Sequence, residues 1–174
     1  MECPSCGYDN TLGADVCSGC EVSLDFQSGP QPAEGLLEQL STEKLATLIP
    51  DSPFEISPDA PLREAVRRLV ETGRHCALVV SDGAIAGILT ERDILMKAAL
   101  EYDRCADSPV SEFMTADPET LTPEHTIAFG LNRMTVGDFR HLPIADQGHP
   151  LGVVAVRHIL AYMVDRHPNE LAVQ

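Results

Sequence analysis

The chain has 174 residues, 44% of them hydrophobic, which suffices for one ordinary domain with its own core plus a small appendage. Its net charge of −15 disfavours nucleic acid and anionic lipid as main partners, because phosphate repels an acidic surface, although a halophilic source would also account for the charge. Since no run of about 18 apolar residues occurs and Met1-Glu2-Cys3 is not a secretory signal, we expect a cytoplasmic protein without membrane contact.

Four of the six cysteines lie within residues 1–26, in the pattern CxxC-x10-CxxC. The pairs Cys3/Cys6 and Cys17/Cys20 would bring four thiolates onto one ion, which suits tetrahedral zinc. The segment resembles a zinc ribbon. Iron also accepts four thiolates, and a disulfide pair is a further alternative that a reducing compartment disfavours. Because about 25 residues cannot bury a sufficient core, the metal would supply the folding energy and the site would be structural.

The charge of this head indicates the kind of partner that it would contact. No Lys or Arg occurs from Met1 through Glu43, against eight Asp or Glu. A zinc ion with four thiolates adds further negative charge. We therefore expect the ribbon to contact a protein rather than nucleic acid.

Residues 27–49 are predicted to be a linker followed by a helix. The stretch 27–34 contains the Pro and Gly residues typical of a linker. Residues 35–49 show a leucine spacing near 3.6, with a possible break at Ser41 or Thr42. The leucines are Leu36, Leu37, Leu40, Leu45 and Leu48. Pro50 and Pro53 would end the helix.

From Phe54 onward the sequence repeats itself with an offset of 65 residues. Ser57-Pro58-Asp59 aligns with Thr122-Pro123-Glu124, and Ile94-Leu95 aligns with Ile159-Leu160, without a gap between. An internal duplication of this kind predicts two copies of one structural unit. We assign repeat 1 to residues 50–107, repeat 2 to 108–166, and a tail to 167–174.

Each copy is predicted to have the order β-α-β-β-α, which makes the fold class α/β (α+β). A Ser/Thr-Pro-acid triplet would start the first helix of each copy. In repeat 1 the expected strands are Phe54–Ile56, 77–80 and Ile85–Leu89, and the helices 62–72 and 91–101. In repeat 2 the strands are Glu119–Leu121, 142–145 and Leu151–Val154, and the helices 127–136 and 156–166. Asp82-Gly83 and Gln147-Gly148 are the expected turns between the paired strands.

Several stretches of these repeats resemble the CBS domain pair, or Bateman module, over about residues 50–165. They are Gly87-Ile88-Leu89-Thr90-Glu91-Arg92-Asp93, Phe113-Met114-Thr115, Phe139-Arg140-His141-Leu142-Pro143-Ile144 and Gly152-Val153-Val154. The resemblance implies a regulatory module that binds AMP, ADP, ATP or a related adenosyl compound in clefts between the repeats. It also implies that the module forms a homodimer.

Thr90 and Asp93 stand at the turn from a strand into a helix, where the helix N-terminus favours oxygen ligands. The resemblance assigns both residues to the ribose, whose diol would donate two hydrogen bonds to the Asp93 carboxylate. The same spacing is also typical of a capping box, with Thr90 as the N-cap, which needs no ligand. The two roles can coexist.

Further ligand contacts follow from the resemblance. Arg140 and His141 would meet the phosphate, through a guanidinium fork and an additional ring donor. His75, at the repeat position of Arg140, and its neighbour Arg74 are further candidates. Ile88 would form an apolar wall for the adenine. The alternatives are an ordinary surface role for Arg140 and His141 and plain core packing for Ile88.

The second repeat departs from the pattern, because Ala155 and His158 replace Thr90 and Asp93. Neither side chain can hold a ribose diol as a carboxylate does, so we predict one competent site and one weak or empty site. Cys76 and Cys105, outside the ribbon, are expected to be free thiols.

No G-x-S-x-G, P-loop or HExxH motif occurs, and no part of the chain beyond the repeats is long enough for a catalytic domain. We therefore expect a non-enzymatic sensor of an adenine nucleotide, with the ribbon contacting a protein partner. The alternative is a ligand-free assembly module in which the CBS pair dimerises and the ribbon recruits a partner.

Overall fold

The computed structural model describes residue 3, residues 6–11, residue 14 and residues 16–20, 35–49 and 53–166. The predicted linker at 27–34 and the predicted tail at 167–174 lie outside this part of the chain. The chain forms two compact units. One comprises residues 49–123 and 141–154, and the other comprises residues 1–48, 124–140 and 155–174.

The helices and strands have the following bounds in chain order. The helices are α1 (Leu36–Thr42), α2 (Leu62–Thr72), α3 (Glu91–Lys97), α4 (Tyr102–Cys105), α5 (Ile127–Val136) and α6 (Val156–Arg166). The strands are β1 (Glu55–Ile56), β2 (Cys76–Ser81), β3 (Ala84–Thr90), β4 (Thr115–Ala116), β5 (His141–Asp146) and β6 (His149–Ala155). Short 3₁₀ turns occupy Leu45–Leu48, Ala99–Glu101 and Val110–Glu112.

A four-stranded sheet organises the unit that contains residues 49–123. Its strand order is β1-β2-β3-β4, with β1 parallel to β2 and the other neighbours antiparallel. Helix α2 covers one face, because its apolar side chains recur at helical spacing and pack on alternate residues of the strands. The core there includes Leu62, Ala65, Leu69, Ala77, Val79, Leu89, Val110 and Phe113.

Two-residue turns join the paired strands in both repeats, as predicted. Asp82 and Gly83 have φ values of 52° and 78°, and Gln147 and Gly148 have 48° and 86°. Positive φ at both central residues is the geometry whose twist matches antiparallel strands. Strands β5 and β6 form a separate two-stranded sheet.

The other unit contains a small helical core. Helix α5 packs against α1 and α6, and α6 also contacts the 3₁₀ turn at Leu45–Leu48. The Thr126 side chain caps α5 by accepting from the N–H of Phe129, and Thr126 forms a β-bridge with Lys44. The buried side chains of this core are Leu40, Leu45, Ile127, Met134, Ile159 and Tyr162.

Three predictions of local structure were wrong. The helix expected at 91–101 ends at Lys97, because Ala98 leaves the helical region at φ −129° and is buried in the core. Of the strand expected at Glu119–Leu121, only Leu121 pairs, in one parallel bridge with Ile144. The Ser/Thr-Pro-acid triplets do not cap helices: the N-caps are Pro61 and Thr126, a few residues further along.

The remaining predicted helices agree closely with the structure. The helices at 62–72, 127–136 and 156–166 are confirmed, and the break expected at Thr42 separates α1 from a 3₁₀ turn. Strand β4 was not predicted. Within the described part of the chain, no helix combines the length and apolar character needed to cross a bilayer.

Candidate functional sites

Thr90 and Asp93 form a complete capping box at the start of α3. The N–H of Asp93 donates to Thr90 Oγ1 at 3.2 Å, and the N–H of Thr90 donates to Asp93 Oδ2 at 3.0 Å. The Thr90 hydroxyl donates to the same Oδ2 at 2.5 Å. The helix-capping role of Thr90 and Asp93 is therefore present. This capping box does not use Oδ1 of Asp93.

The second carboxylate oxygen of Asp93 is held by two residues that the sequence did not single out for the site. Lys97 Nζ donates to Oδ1 at 2.9 Å, and the Thr115 hydroxyl donates to it at 3.1 Å. Lys97 also donates to the carbonyl oxygens of Phe113 at 2.7 Å and Met114 at 3.1 Å. The carboxylate thus joins α3 to the segment that leads into β4.

The electrostatics of Asp93 favour its ionised form. Burial by itself raises the pKa of this carboxyl group. Hydrogen bonds from Thr90 and the adjacent Lys97 ammonium outweigh burial and hold the pKa below its ordinary value. Asp93 is therefore a half-buried acceptor that carries its charge at neutral pH.

Ile88, Thr90 and Thr115 share one face of the sheet. Ile88 pairs with Thr115 of β4, and Thr90 lies two residues beyond Ile88 on β3. Side chains alternate along a strand, so this face is opposite the one on which Leu89 joins the core. Ile88 is 5% exposed, which fits the core-packing interpretation, and its role as an adenine wall remains a prediction.

Gly87 permits the close approach of β4 to β3 at this site. A Cβ atom on Gly87 would lie 2.4 Å from Met114 Sδ and 2.9 Å from the Thr115 carbonyl oxygen. Both distances are far inside van der Waals contact, so a larger residue would displace β4. Gly87 thus places Thr115 next to Asp93.

Arg74 and His75 line a groove between α2 and α3. His75 Nδ1 lies 3.0 Å from Glu91 Oε2, and the His75 carbonyl accepts from the Glu91 N–H at 3.1 Å. The groove has a volume of about 470 Å³. Its other lining residues are mainly apolar: Val66, Leu69, Val70, Gly73, Ile94 and Leu95. The structure therefore joins His75 to Glu91, whereas Asp93 is joined to Thr90, Lys97 and Thr115.

Arg140 and His141 stand at the entrance to β5. Arg140 is exposed, and its carbonyl accepts from the N–H of Val156 at 3.1 Å. His141 is the first residue of β5 and is half-buried. Their assignment to phosphate remains a prediction.

In the second repeat, His158 accepts a hydrogen bond from a backbone N–H, as Asp93 does in the first repeat. The N–H of Ala155 donates to His158 Nδ1 at 3.2 Å. Burial and the neighbouring Arg157 charge lower the pKa of His158. A neutral imidazole with an unprotonated Nδ1 supplies one acceptor here, where the first repeat has a carboxylate.

The four ribbon cysteines converge on one point. Their sulfur atoms all lie within 4.8 Å of one another. The Cys3–Cys20 and Cys6–Cys17 sulfur pairs are 3.8 Å and 3.4 Å apart. Tetrahedral zinc with Zn–S bonds of about 2.3 Å needs sulfur separations of about 3.8 Å. None of these four cysteines is in a disulfide, and the donor set fits one tetrahedral ion with no position left open.

Asn10 holds one of these thiols from the side. Its amide donates to Cys17 Sγ at 3.5 Å, the Gly19 N–H donates to the same sulfur at 3.3 Å, and Asn10 Oδ1 accepts from the Ser18 N–H at 2.9 Å. Burial raises the pKa of Cys17, but these donors outweigh it and lower the pKa to about 6. Burial raises the pKa of Cys6 to about 12. Cys17 is thus the thiol that ionises more readily of the two.

The two cysteines outside the ribbon, Cys76 and Cys105, are not in disulfides, as expected. Cys76 pairs with Thr90 in the β2–β3 register, and the Cys105 thiol faces the Ala98 carbonyl oxygen at 3.9 Å.

Comparison with known proteins identifies the repeats. The CBS domain family matches residues 46–99 and 110–165. A CBS domain-containing protein of Arabidopsis thaliana, CBSCBSPB1, is 32% identical over 129 residues, covering 72% of this chain and 24% of its own length. An uncharacterized 17.7 kDa protein of Acidianus ambivalens is 30% identical over 126 residues, covering 71% of this chain and 75% of its own. The chain thus spans about a quarter of the length of the Arabidopsis relative.

Solved structures show the same fold. A crystal structure of a CBS domain protein, NE2398, superposes with a TM-score of 0.66 at 25% identity, covering 70% of this chain and 98% of that one. A CBS domain protein from Pyrobaculum aerophilum, solved with AMP, gives a TM-score of 0.61 at 20% identity and covers 70% of this chain and 98% of that one. The CBS domain pair of MJ0100 was solved with 5′-methylthioadenosine and S-adenosyl-L-methionine. It gives a TM-score of 0.64 at 18% identity and covers 71% of this chain and 98% of that one. These matches confirm the CBS pair and the mixed α and β fold. None of the proteins named above is described as an enzyme.

Proposed function

The chain belongs to the CBS domain family, and on that premise we propose that it is a regulatory sensor that binds an adenine nucleotide (AMP, ADP or ATP) at Thr90 and Asp93. The observation that carries the proposal is the Asp93 carboxylate, ionised and half-buried at the start of α3. An ionised carboxylate is a strong acceptor for the two hydroxyl groups of a ribose diol. Neighbours of this fold bind AMP or S-adenosyl-L-methionine.

The remaining ligand contacts follow from the chemistry of the candidate residues. Ile88 is the proposed adenine contact because it lies on the same sheet face as Thr90. Arg140 and His141 are the proposed phosphate donors, because a guanidinium fork and an imidazole suit phosphate oxygens. Arg74 and His75 are secondary candidates. The structure gives less support for their binding phosphate, because both line the α2–α3 groove beside the Glu91 carboxylate.

We propose one nucleotide per chain. The second repeat has Ala155 and His158 where the first has Thr90 and Asp93, and its His158 Nδ1 is already the acceptor for a backbone N–H. It offers no carboxylate to a ribose diol. One competent site and one weak or empty site therefore remain the expectation.

The head is proposed to be a zinc ribbon that contacts a protein partner. Cys3, Cys6, Cys17 and Cys20 would hold the ion, which when bound fixes the local fold. The separation of their sulfurs fits tetrahedral coordination without a position for substrate, which favours a structural role. The acidic composition of the head favours a protein partner over nucleic acid.

Isothermal titration calorimetry of the zinc-loaded full chain with AMP, ADP, ATP and S-adenosyl-L-methionine tests the sensor. We expect one site per chain, at least tenfold weaker in Asp93→Asn, whose amide oxygen can still accept from the Thr90 N–H. Glu91→Gln is the matched control, because Glu91 is on the same turn of α3 but contacts His75. No heat with any of the four compounds would exclude the sensor.

The second candidate is a ligand-free assembly module in which the groove between α2 and α3 binds a second copy of the chain. Val70 and Leu95 line the groove with 77% and 66% of their surface exposed. Leu160, at the repeat position of Leu95, is also exposed. Exposed leucines at duplicated positions favour a self-complementary contact. An assembly module should keep its function in Asp93→Asn. It should lose that function when the dimer contact or the ribbon cysteines are removed.

A further inference from the structure

Every acceptor position of the Asp93 carboxylate is filled from within the chain. A carboxylate offers about four lone-pair positions, two on each oxygen. Oδ2 accepts from the N–H and the hydroxyl of Thr90, and Oδ1 accepts from Lys97 and Thr115. A ribose diol that binds Asp93 must therefore displace donors that are already present.

The two pairs of donors differ in what their loss would cost. The Thr90 pair is part of the capping box of α3, so its removal leaves the N–H of Thr90 without its acceptor. Lys97 and Thr115 are both exposed enough to turn to water. The Lys97 ammonium also keeps its bonds to the Phe113 and Met114 carbonyls when it leaves Oδ1. Oδ1 is thus the oxygen that a ligand can take over.

We propose, as an extension that rests on the proposed nucleotide site, that Lys97 and Thr115 are internal competitors of the ribose diol for Oδ1 of Asp93. A ligand with both ribose hydroxyls binds by replacing the two side-chain donors. The exchange breaks the Thr115–Asp93 bond, which joins β4 to α3, whereas the bonds from Lys97 to the Phe113 and Met114 carbonyls remain. Lys97 and Thr115 thereby set the affinity for the diol without contacting the base or the phosphate.

Three probes and matched variants test the competition on the full zinc-loaded chain. The probes are adenosine, AMP and 2′,3′-dideoxyadenosine 5′-monophosphate, the last of which has no diol. The variants are Lys97→Met, Lys97→Arg and Thr115→Val. Thr120→Val is the control, because Thr120 is exposed and its hydroxyl donates to the Pro118 carbonyl outside the site.

Removing a competing donor should tighten binding of the diol ligands. We expect Lys97→Met and Thr115→Val to bind adenosine and AMP about three- to tenfold more tightly than wild type, as a partly exposed charge-assisted bond predicts. Neither variant should change the affinity for the dideoxy compound. Lys97→Arg, which keeps a cationic donor, should restore affinity to within about twofold of wild type. Thr120→Val should behave as wild type.

The contrary results separate this inference from the proposed function. Weaker AMP binding with unchanged adenosine binding in Lys97→Met would show that Lys97 serves the phosphate and would overturn the competition. Unchanged binding of all probes in both variants would overturn it as well. If neither wild type nor Lys97→Met binds any probe, the nucleotide site itself is wrong. Binding that appears only in Lys97→Met would support the competition directly.

Discussion

The N–H of Ala155 donates to Nδ1 of His158 at 3.2 Å, which reproduces in the second repeat the bond from Thr90 to Asp93 in the first. The first repeat's pair stands at the start of α3, and the second repeat's pair stands at the start of α6. A neutral imidazole is therefore sufficient for this backbone bond. The carboxylate of the first repeat has a second oxygen, Oδ1, which this backbone bond does not use and which we propose for the ligand.

The start of α6 should depend on pH through His158. Its pKa is lowered in the folded chain, so the unfolded chain binds more protons between that value and the ordinary pKa near 6.5. The contribution of His158 to the free energy of unfolding is then complete above about pH 6.5. It is lost as the pH falls from there through the pKa of His158 in the folded chain. Lowering the pH from about 7.5 to 5.5 should lower the urea midpoint of wild type more than that of His158→Gln. Gln at this position can accept from the helix start but does not titrate. Equal pH dependence of the two proteins would contradict the assignment.

The ribbon should lose its metal when one thiol is removed. Cys17→Ser replaces a buried sulfur that accepts from Asn10 and Gly19, and the remaining three thiols leave the tetrahedron incomplete. Elemental analysis should find one zinc per chain in wild type and less than about a tenth of that in Cys17→Ser after dialysis. Cys105→Ser, whose thiol faces the Ala98 carbonyl, is the control and should keep the full content. Iron in wild type would replace the zinc assignment, and metal retained by Cys17→Ser would contradict the four-cysteine site.

Gly87→Ala should displace β4 and move Thr115 away from Asp93. The added Cβ would lie 2.9 Å from the Thr115 carbonyl oxygen, so we expect a loss of about 1–3 kcal/mol in the free energy of unfolding. It should also bind AMP more tightly in calorimetry, as Thr115→Val is expected to do, because displacement of β4 takes the competing Thr115 hydroxyl away from Asp93. Gly73→Ala is a matched control: its φ of +63° strains the backbone, but no atom lies within 4 Å of the added Cβ. It should be destabilised yet bind as wild type. Unchanged AMP binding by Gly87→Ala would show that β4 does not affect the site, and weaker binding would contradict the competition of Thr115 for Asp93.

A dimer that uses the groove between α2 and α3 should dissociate when a charge is placed in it. Leu95 lines the groove and is 66% exposed, so Leu95→Glu should fold normally but raise the dimer dissociation constant at least tenfold. Light scattering after size exclusion measures the change. Leu100→Glu is the control, because Leu100 is fully exposed and does not line the groove. A Leu95→Glu chain that dimerises as wild type would rule out this groove as the contact.

The sequence by itself determined what depends on residues close together in the chain or on the repeat. Helix α2 follows from helical spacing, the Asp82-Gly83 turn from local φ preferences, and the capping box from the three-residue spacing of Thr90 and Asp93. The offset of 65 residues predicted two copies of one unit, and the CxxC pattern predicted the convergence of four sulfurs. Each of these features involves short sequence separations or a recognisable motif.

Only the tertiary structure decided what surrounds Asp93. Thr115 lies 22 residues from it in sequence, and Lys97 reaches carbonyls 16 and 17 residues away. Such bonds depend on how β4 returns to pair with β3, and a two-residue strand has no periodicity that would reveal it. The end of α3 before Ala98 likewise results from packing of that residue in the core. Local preferences act over a few residues, whereas these contacts form only when distant segments pack together, so no local pattern records them.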